Sequence, residues 1–470
     1  MSRTSKLQTI ARDADRRLLA EIVAFCQRVG VAESTLGRRI VNDGKLVARL
    51  RAGGKVTART AQRLREFMNK MQADVDRERA VKARDSSRKA SAINNSPAPF
   101  RFYENRQKYL LFVSTCTEKW VVSQRIEMEL NRIQPRSPAL RIFDAGVGDG
   151  TVLTRVMRTL HDRYPSVPFY VVGKEISLED VRLTLDKLSD RFYEHPATVL
   201  VLTNMFYSEA PWLTPISPAA AAELVWHEVP LAGHTAGQFE RQLTDLQPFL
   251  ARHWTAKMSP TSGNPIYDRP VALVIFREDQ RTLLDPVRPK PGVARAEFDL
   301  VIASQPYRAR TTSEFKAAKV IAPLTRALGS GGRLIGIHSY GRDPGLEIVQ
   351  GIWPNENPFT TDRHQLLKAT KDVLGTEAHH FSFDAYSDHR ALFKFEMHTL
   401  PTEIGSSIGT STLMAAWNAA VYVAQIDDLR LKGAMADGKY LDVTRAVLQK
   451  HGRLWFQNES YVISRHRSDI

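Results

Sequence analysis

Cysteine is nearly absent from this 470-residue chain, which holds only Cys26 and Cys116. Two thiols build neither a disulfide framework nor a cysteine zinc site, and a reducing, cytoplasmic setting is the expectation. Long apolar runs are missing as well. The most apolar stretch, Ser411–Ile426, is broken by Asn418 and Gln425 and falls short of the roughly 20 residues that cross a bilayer. No membrane partner is therefore expected. The opening residues, MSRTSKLQTIARDADRR, lack the apolar centre of a secretory signal. No G-x-x-x-x-G-K-[ST] sequence occurs, which excludes a Walker A phosphate loop, and no internal repeat is visible.

What the chain has in excess is positive charge, and it is unevenly placed. The first hundred residues carry 22 Lys and Arg against 10 Asp and Glu, a net +12 of the total +15. A basic module with an anionic partner, joined to a nearly neutral body, is the natural division. A length of 470 residues also exceeds one ordinary core.

Residues 10–70 show helical patterning. Leu18, Leu19, Ile22, Val23 and Cys26 share one face of a helix closed by Gly30. Two short helices follow, with Asn42 as a cap and Gly53-Gly54 as a stop. A further helix starts at Thr57 and turns Ala61, Leu64, Phe67 and Met68 inward. Over residues 31–70 this text resembles a phage-repressor-like helix-turn-helix domain. The resemblance implies that the helix from Asp43 to Ala52 enters the major groove of DNA and presents Lys45, Arg49 and Arg51. A helical protein-interaction module is the competing expectation. Residues 71–98 begin charged and end in Ser, Asn, Ala and Pro, as a linker does.

From Ala139 onward the pattern alternates strands and helices. LRIFDA, PFYVVGKE, TVLVLT, FDLVIAS and GRLIGIHS are continuously apolar, as strands buried on both faces are. HHFSFDAY and RALFKFEMHT are close neighbours with alternation, placing Ala391, Phe393, Phe395 and Met397 on one face. They predict an antiparallel terminal hairpin on a five-stranded parallel sheet, so the fold expected over 99–470 is α/β, Rossmann-like, beside a small all-α N-terminal domain. Residues 402–470 are expected to form a helical extension.

The first strand runs into Asp144-Ala-Gly146-Val-Gly148-Asp-Gly150. Glycines let backbone approach a ligand closely, and the helix that follows favours a negative group at its start. The spacing departs from the dinucleotide fingerprint G-x-G-x-x-G. It resembles instead the first motif of the class I S-adenosylmethionine-dependent methyltransferases, acidic-x-G-x-G-x-G. The resemblance covers about residues 140–400 and implies S-adenosyl-L-methionine as cofactor. Asp144 would help orient its methionine portion and Glu175, ending the second strand, would hold the ribose; Asn204, after the third, would border the adenine. Glu175 taken alone also fits an ordinary helix cap.

The fourth strand ends in Ser304-Gln305-Pro306-Tyr307. Amino-methylating members of that family carry [Asp/Asn/Ser]-Pro-Pro-[Tyr/Phe] here, and Gln305 replaces the first proline. Such a strand end accepts an amine's hydrogens and holds its plane against an aromatic face, which is positioning rather than covalent chemistry. A strand end with a merely packing tyrosine is the alternative. Arg308 and Arg310 follow, and the next strand ends in His338, Ser339, Tyr340, Arg342 and Asp343. These offer an anion-binding surface, with His338 or Asp343 as proton acceptor. Residues 207–297 form a long insertion, expected as a lid or dimerisation element, and Trp417 and Tyr422 are expected in a core. The expected function is a methyltransferase, at nitrogen, on a nucleic-acid base or small molecule. The alternative is a DNA-binding transcription regulator that senses the cofactor without catalysis.

Overall fold

Apolar strands need cover on both faces, and the helices of this chain supply it around one large sheet. In the computed structural model the strands are β1 Leu140–Asp144, β2 Phe169–Lys174, β3 Thr198–Thr203, β4 Val225–Leu231, β5 Ala256–Met258, β6 Pro265–Tyr267, β7 Val271–Arg277, β8 Phe298–Ser304, β9 Leu328–Ser339, β10 Phe381–Asp384, β11 Leu392–Glu396 and β12 Trp455–Arg465. The structure describes residues 18–26, 43–57, 59–68, 106–260, 263–399, 408–436 and 438–467. It divides into units 1–97 and 98–470.

In the larger unit the sheet order is β10-β12-β9-β8-β1-β2-β3-β7-β4. The five apolar runs form the parallel centre, with β1 flanked by β2 and β8, β3 beyond β2, and β9 beyond β8. Chain order reverses between β1 and β8. Ligands of open parallel sheets sit at such a switch point, beyond the strands' carboxyl ends. Two apolar layers sandwich the sheet, one holding Phe143, Val201 and Val301, the other Ile142, Leu200 and Ile302. Consecutive residues thus feed opposite layers, as the period of two requires.

Three sequence expectations are corrected here. Residues 207–297 are not a separate lid. They supply β7, antiparallel to β3, and β4, parallel to β7, and so widen the central sheet; all of β7 is buried. The expected terminal hairpin does not form either. β10 and β11 each pair antiparallel with β12, Phe381 facing Arg465 and Leu392 facing Glu459. They lie end to end along one edge of β12, separated by the short helix Asp388–Ala391. Finally, residues 402–470 are not all helical. Helices Thr410–Val423, Asp428–Met435 and Lys439–His451 are followed by β12, which runs antiparallel to β9 inside the sheet. Buried polar residues Asn458, Glu459 and Ser460 interrupt its apolar pattern.

The smaller unit packs helix 18–26, helix Leu46–Arg51 and helix 59–68 around Leu18, Ile22, Phe25, Leu46, Leu50 and Leu64. Gly53 ends the middle helix at φ +84°, and the Thr60 N–H donates to Thr57 Oγ1, capping the last. Lys45, Arg49 and Arg51 lie at or in the middle helix; Arg49 pairs with Asp43 at 2.6 Å. Asn42, Gly30 and residues 71–98 lie outside the described residues.

Candidate functional site

The glycine loop is threaded between the strands on either side of β1. The Ala145 N–H donates to the Ile302 carbonyl of β8 at 2.9 Å, and the Val147 N–H to Lys174 of β2 at 3.1 Å. Asp144 Oδ1 accepts the Gly146 N–H at 3.0 Å. Gly148 and Gly150 take φ of +56° and +79°, left-handed values that L side chains rarely adopt. A Cβ on Gly150 would also press on Thr184 at 3.0 Å, whereas one on Gly146 would meet nothing nearer than the Ser304 carbonyl at 4.0 Å. Space in front of Gly146 is what a bound molecule would need. Gly150 then caps helix Thr151–Arg163.

Glu175 reaches this loop. Its Oε2 accepts the Gly148 N–H at 2.9 Å, while Oε1 accepts from Ile176 at 2.8 Å and Ser177 at 2.9 Å. The carboxylate thus ties the loop to the turn after β2 and is not the helix cap expected as the alternative, because Ser177 caps helix Leu178–Asp186, its Oγ accepting the Asp180 N–H at 3.3 Å. A carboxylate oxygen has about two acceptor directions, leaving Oε2 able to take one further hydroxyl. Two anchors were not legible from spacing. Thr184 Oγ1 donates to the Gly148 carbonyl at 2.9 Å, and Lys187 Nζ binds Asp149 Oδ2 and its carbonyl, each at 2.7 Å.

Charge at the loop favours a cation. Burial pushes the Asp144 carboxyl up to about 7, against the Gly146 N–H and Lys119, which work to lower it. Burial works to raise Asp149 too, but Lys119 and Lys187 hold it below its ordinary value. Lys119 is itself kept charged by Glu118 and Asp149 despite burial. Tyr109 Oη lies 3.5 Å from where a Gly148 Cβ would stand, buried and without a hydrogen-bond partner. The Tyr422 ring sits 6.0 Å from that of Tyr109. A ligand with a positive centre and hydrogen-bonding groups fits this mixture of carboxylates, aromatic rings and an orphaned hydroxyl.

Asn204 has other work. Its amide donates to the Arg269 carbonyl at 2.9 Å and accepts the Val271 N–H at 2.8 Å, and the residue is 1% exposed. It holds the start of β7 against the end of β3, and both ends of its amide are engaged there.

Beyond β8, Gln305 sits at φ +50°, a strained value for a non-glycine. Its Nε2 donates to Ser339 Oγ at 3.0 Å, tying the ends of β8 and β9 together. The Pro306 carbonyl accepts the Tyr207 hydroxyl at 2.7 Å. Tyr307 Oη lies 2.5 Å from His338 Nδ1, and His338 Nε2 lies 2.6 Å from Glu459 Oε1 on β12. Arg363 closes the chain: its N–H donates to Glu459 Oε1 at 2.8 Å and its Nη1 to Oε2 at 2.9 Å. A small cavity is lined by Gln305, Tyr307, Lys316, His338, Phe359 and Thr361, among others. Lys316, whose ammonium lies 5.1 Å from the centre of the Tyr307 ring, is lowered to about 8 by burial, which Glu459 opposes.

Several loop residues have structural duties. Arg310 is paired with Glu356 and donates to the Ala424 carbonyl at 3.0 Å. Asp343 caps helix Pro344–Ile352 and accepts the Gln457 N–H, and burial lifts it to about 6. Arg308 is half-buried. Trp417 and Tyr422 belong to a buried cluster with Phe112 and Phe456. Among the described residues no group of three or more His, Cys, Asp or Glu is placed to hold a metal ion, and no helix is long and apolar enough to cross a membrane.

No family model matches this chain, and no curated protein matches it. Solved structures similar to it include the CurJ carbon methyltransferase, at 10% identity and a TM-score of 0.28 over 73% of this chain and 52% of that one. Phosphoethanolamine N-methyltransferase 2 of Haemonchus contortus, in complex with S-adenosyl-L-methionine, is 9% identical, with a TM-score of 0.25 over 73% and 52%. Geranyl diphosphate methyltransferase with GPP and sinefungin is 11% identical, with a TM-score of 0.27 over 73% and 77%. The chain spans about half the length of the first two.

Proposed function

We propose that this chain is an S-adenosylmethionine-dependent methyltransferase that modifies a nitrogen of a nucleic-acid base or small molecule. One observation supports it above the others: Glu175 and the glycine loop converge at the sheet's switch point, the carboxylate 2.9 Å from the Gly148 N–H. Asp144, the loop backbone, Glu175 and Tyr109 are the residues that would hold the cofactor. When bound, the cofactor supplies an electrophilic methyl group on a sulfonium. The chain's residues orient the two reactants: the left-handed glycines let the backbone approach, Glu175 takes a sugar hydroxyl, and the Ser304–Tyr307 strand end aligns the acceptor.

The basic N-terminal unit supports DNA as a partner, through Lys45, Arg49 and Arg51. A binding constant for duplex DNA that fails to fall as salt rises would remove that partner. Incubation of the full chain with methyl-labelled S-adenosylmethionine and a cell extract, followed by fractionation into DNA, RNA, protein and metabolites, tests the activity and assigns the substrate class. Calorimetry with unlabelled S-adenosylmethionine runs beside it. Binding with no label transfer to any fraction would favour a cofactor-sensing DNA-binding regulator.

A further inference from the structure

The buried chain Tyr307–His338–Glu459–Arg363 has a defined direction for its protons. Glu459 is fully buried, Arg363 is 2% exposed and His338 is 4% exposed. Arg363 meets both Glu459 oxygens, at 2.8 and 2.9 Å, and is also paired with Asp388 at 2.5 Å. A carboxylate so paired is an acceptor only. His338 Nε2, 2.6 Å away, must then carry the hydrogen, which leaves a lone pair on Nδ1. Among the described residues only the Tyr307 hydroxyl fills that lone pair, at 2.5 Å. The arrangement is that of an activated hydroxyl, an imidazole base and an orienting carboxylate, with tyrosine in first position. It stands at the carboxyl ends of β8 and β9, where Tyr307 and His338 both line the small cavity.

We propose that this chain is a proton relay that removes the hydrogen of the methyl acceptor, an N–H group, through Tyr307 to His338. The proposal rests on the methyltransferase reading above. As the acceptor's lone pair forms its bond to the methyl carbon, the electron pair of the breaking carbon–sulfur bond stays on sulfur. The acceptor's proton passes to Tyr307 Oη, and the Tyr307 proton passes to His338 Nδ1. The imidazolium so formed faces the Glu459 carboxylate and later releases its proton to water. Tyr307 stays neutral throughout, in keeping with burial, which raises its hydroxyl well above the ordinary value. Tyr307 and His338 are the catalytic residues; Glu459 and Arg363 are positioning residues.

Among the described residues the ionisable groups around His338 and Glu459 come from five elements, Asp388 standing on helix Asp388–Ala391. Tyr307 follows β8, Glu459 and Tyr461 lie on β12, and Lys316 stands on helix Ser313–Lys316. Arg363 opens helix Arg363–Leu374 and brings Asp388 with it.

Two readouts on the full chain decide the matter, with Glu459→Gln, His338→Gln and Tyr307→Phe as near-isosteric variants. The first needs no substrate: nitrogen NMR of histidine-labelled protein, with His338 assigned by its loss in His338→Gln. Expected are a protonated Nε2 and a bare Nδ1 at pH 8, a Nδ1 shift that moves in Tyr307→Phe, and loss of the fixed Nε2–H tautomer in Glu459→Gln. A hydrogen on Nδ1 at pH 8 would overturn the proposal. The second is label transfer from S-adenosylmethionine to the responsive extract fraction. His338→Gln should cut transfer by about 100-fold. Transfer in His338→Gln within threefold of wild type would equally overturn it. Calorimetric affinity for S-adenosylmethionine should stay within twofold in all three variants. No binding in wild type would instead count against the methyltransferase reading itself.

Discussion

The carboxyl ends of β1 and β2 and those of β8 and β9 face the same side of one sheet, yet they are built from different materials. At β1 and β2 the working parts are mostly backbone: two left-handed glycines and an N–H held by Glu175. At β8 and β9 they are side chains in series, running from Tyr307 through His338 to Glu459 and Arg363. The first half can approach a ligand because it lacks side chains. The second can move a proton because each side chain holds the next. The largest effects should come from putting a side chain where the first half has none.

Gly148→Arg does that. It forces an arginine into φ +56° and into contact with Tyr109 Oη, 3.5 Å from the new Cβ. Calorimetry with S-adenosylmethionine should show binding weakened at least about 100-fold, roughly 2.7 kcal/mol. Affinity within threefold of wild type would mean that the loop is only a turn. Glu175→Gln is the milder break, since it keeps the shape and removes the charge. Charged hydrogen bonds contribute about 1.5–3 kcal/mol, so a loss of roughly 10- to 100-fold in affinity is expected. An unchanged constant would reduce Glu175 to a brace between the glycine loop and the turn after β2.

Asp144 sharpens the comparison through pH. Its folded value of about 7 lies above the ordinary 3.8, so the native chain binds an extra proton between those values. Unfolding free energy must then fall as pH rises across that window. A cation placed beside Asp144 prefers the ionised form, so affinity for S-adenosylmethionine should weaken as pH drops below about 7, by up to tenfold per unit. Asp144→Asn should flatten both trends. Calorimetry at pH 6 and 8 and thermal melts at pH 5 and 8 are the measurements. A wild-type affinity independent of pH would place the cation elsewhere.

How far the sequence could be read follows the same division. The five parallel strands were legible because burial on both faces writes continuous apolar runs. The glycine loop was legible because only glycine tolerates φ of +56° and +79° so close together. β12 was not. Asn458, Glu459 and Ser460 break its apolar pattern, and the residue that hides the strand is the one His338 needs. Glu459 is 121 residues beyond His338, and no local spacing links them. Tyr109 and Lys119 escaped for a related reason, since their helices precede β1 and reach the loop only through packing. Asn204 could be placed at the end of β3, but its amide could not be assigned to Arg269 and Val271 until β7 was known to lie alongside.

The smallest effect concerns Arg310, which sequence position alone offered as an anion binder. Its guanidinium is committed to Glu356 and to the Ala424 carbonyl, linking the β8 loop to the helices that precede β12. Glu356 keeps a second partner, Arg430 at 2.6 Å. Arg310→Ala therefore leaves that carboxylate paired, and its side chain is 39% exposed, so solvent already screens the contact. A stability loss of about 1 kcal/mol or less is expected, read as a small drop in melting temperature. Label transfer should stay within twofold of wild type. A larger fall in transfer, with the melting temperature unchanged, would mean that Arg310 leaves Glu356 to meet the acceptor and that the β8–β9 half reads charge as well as protons.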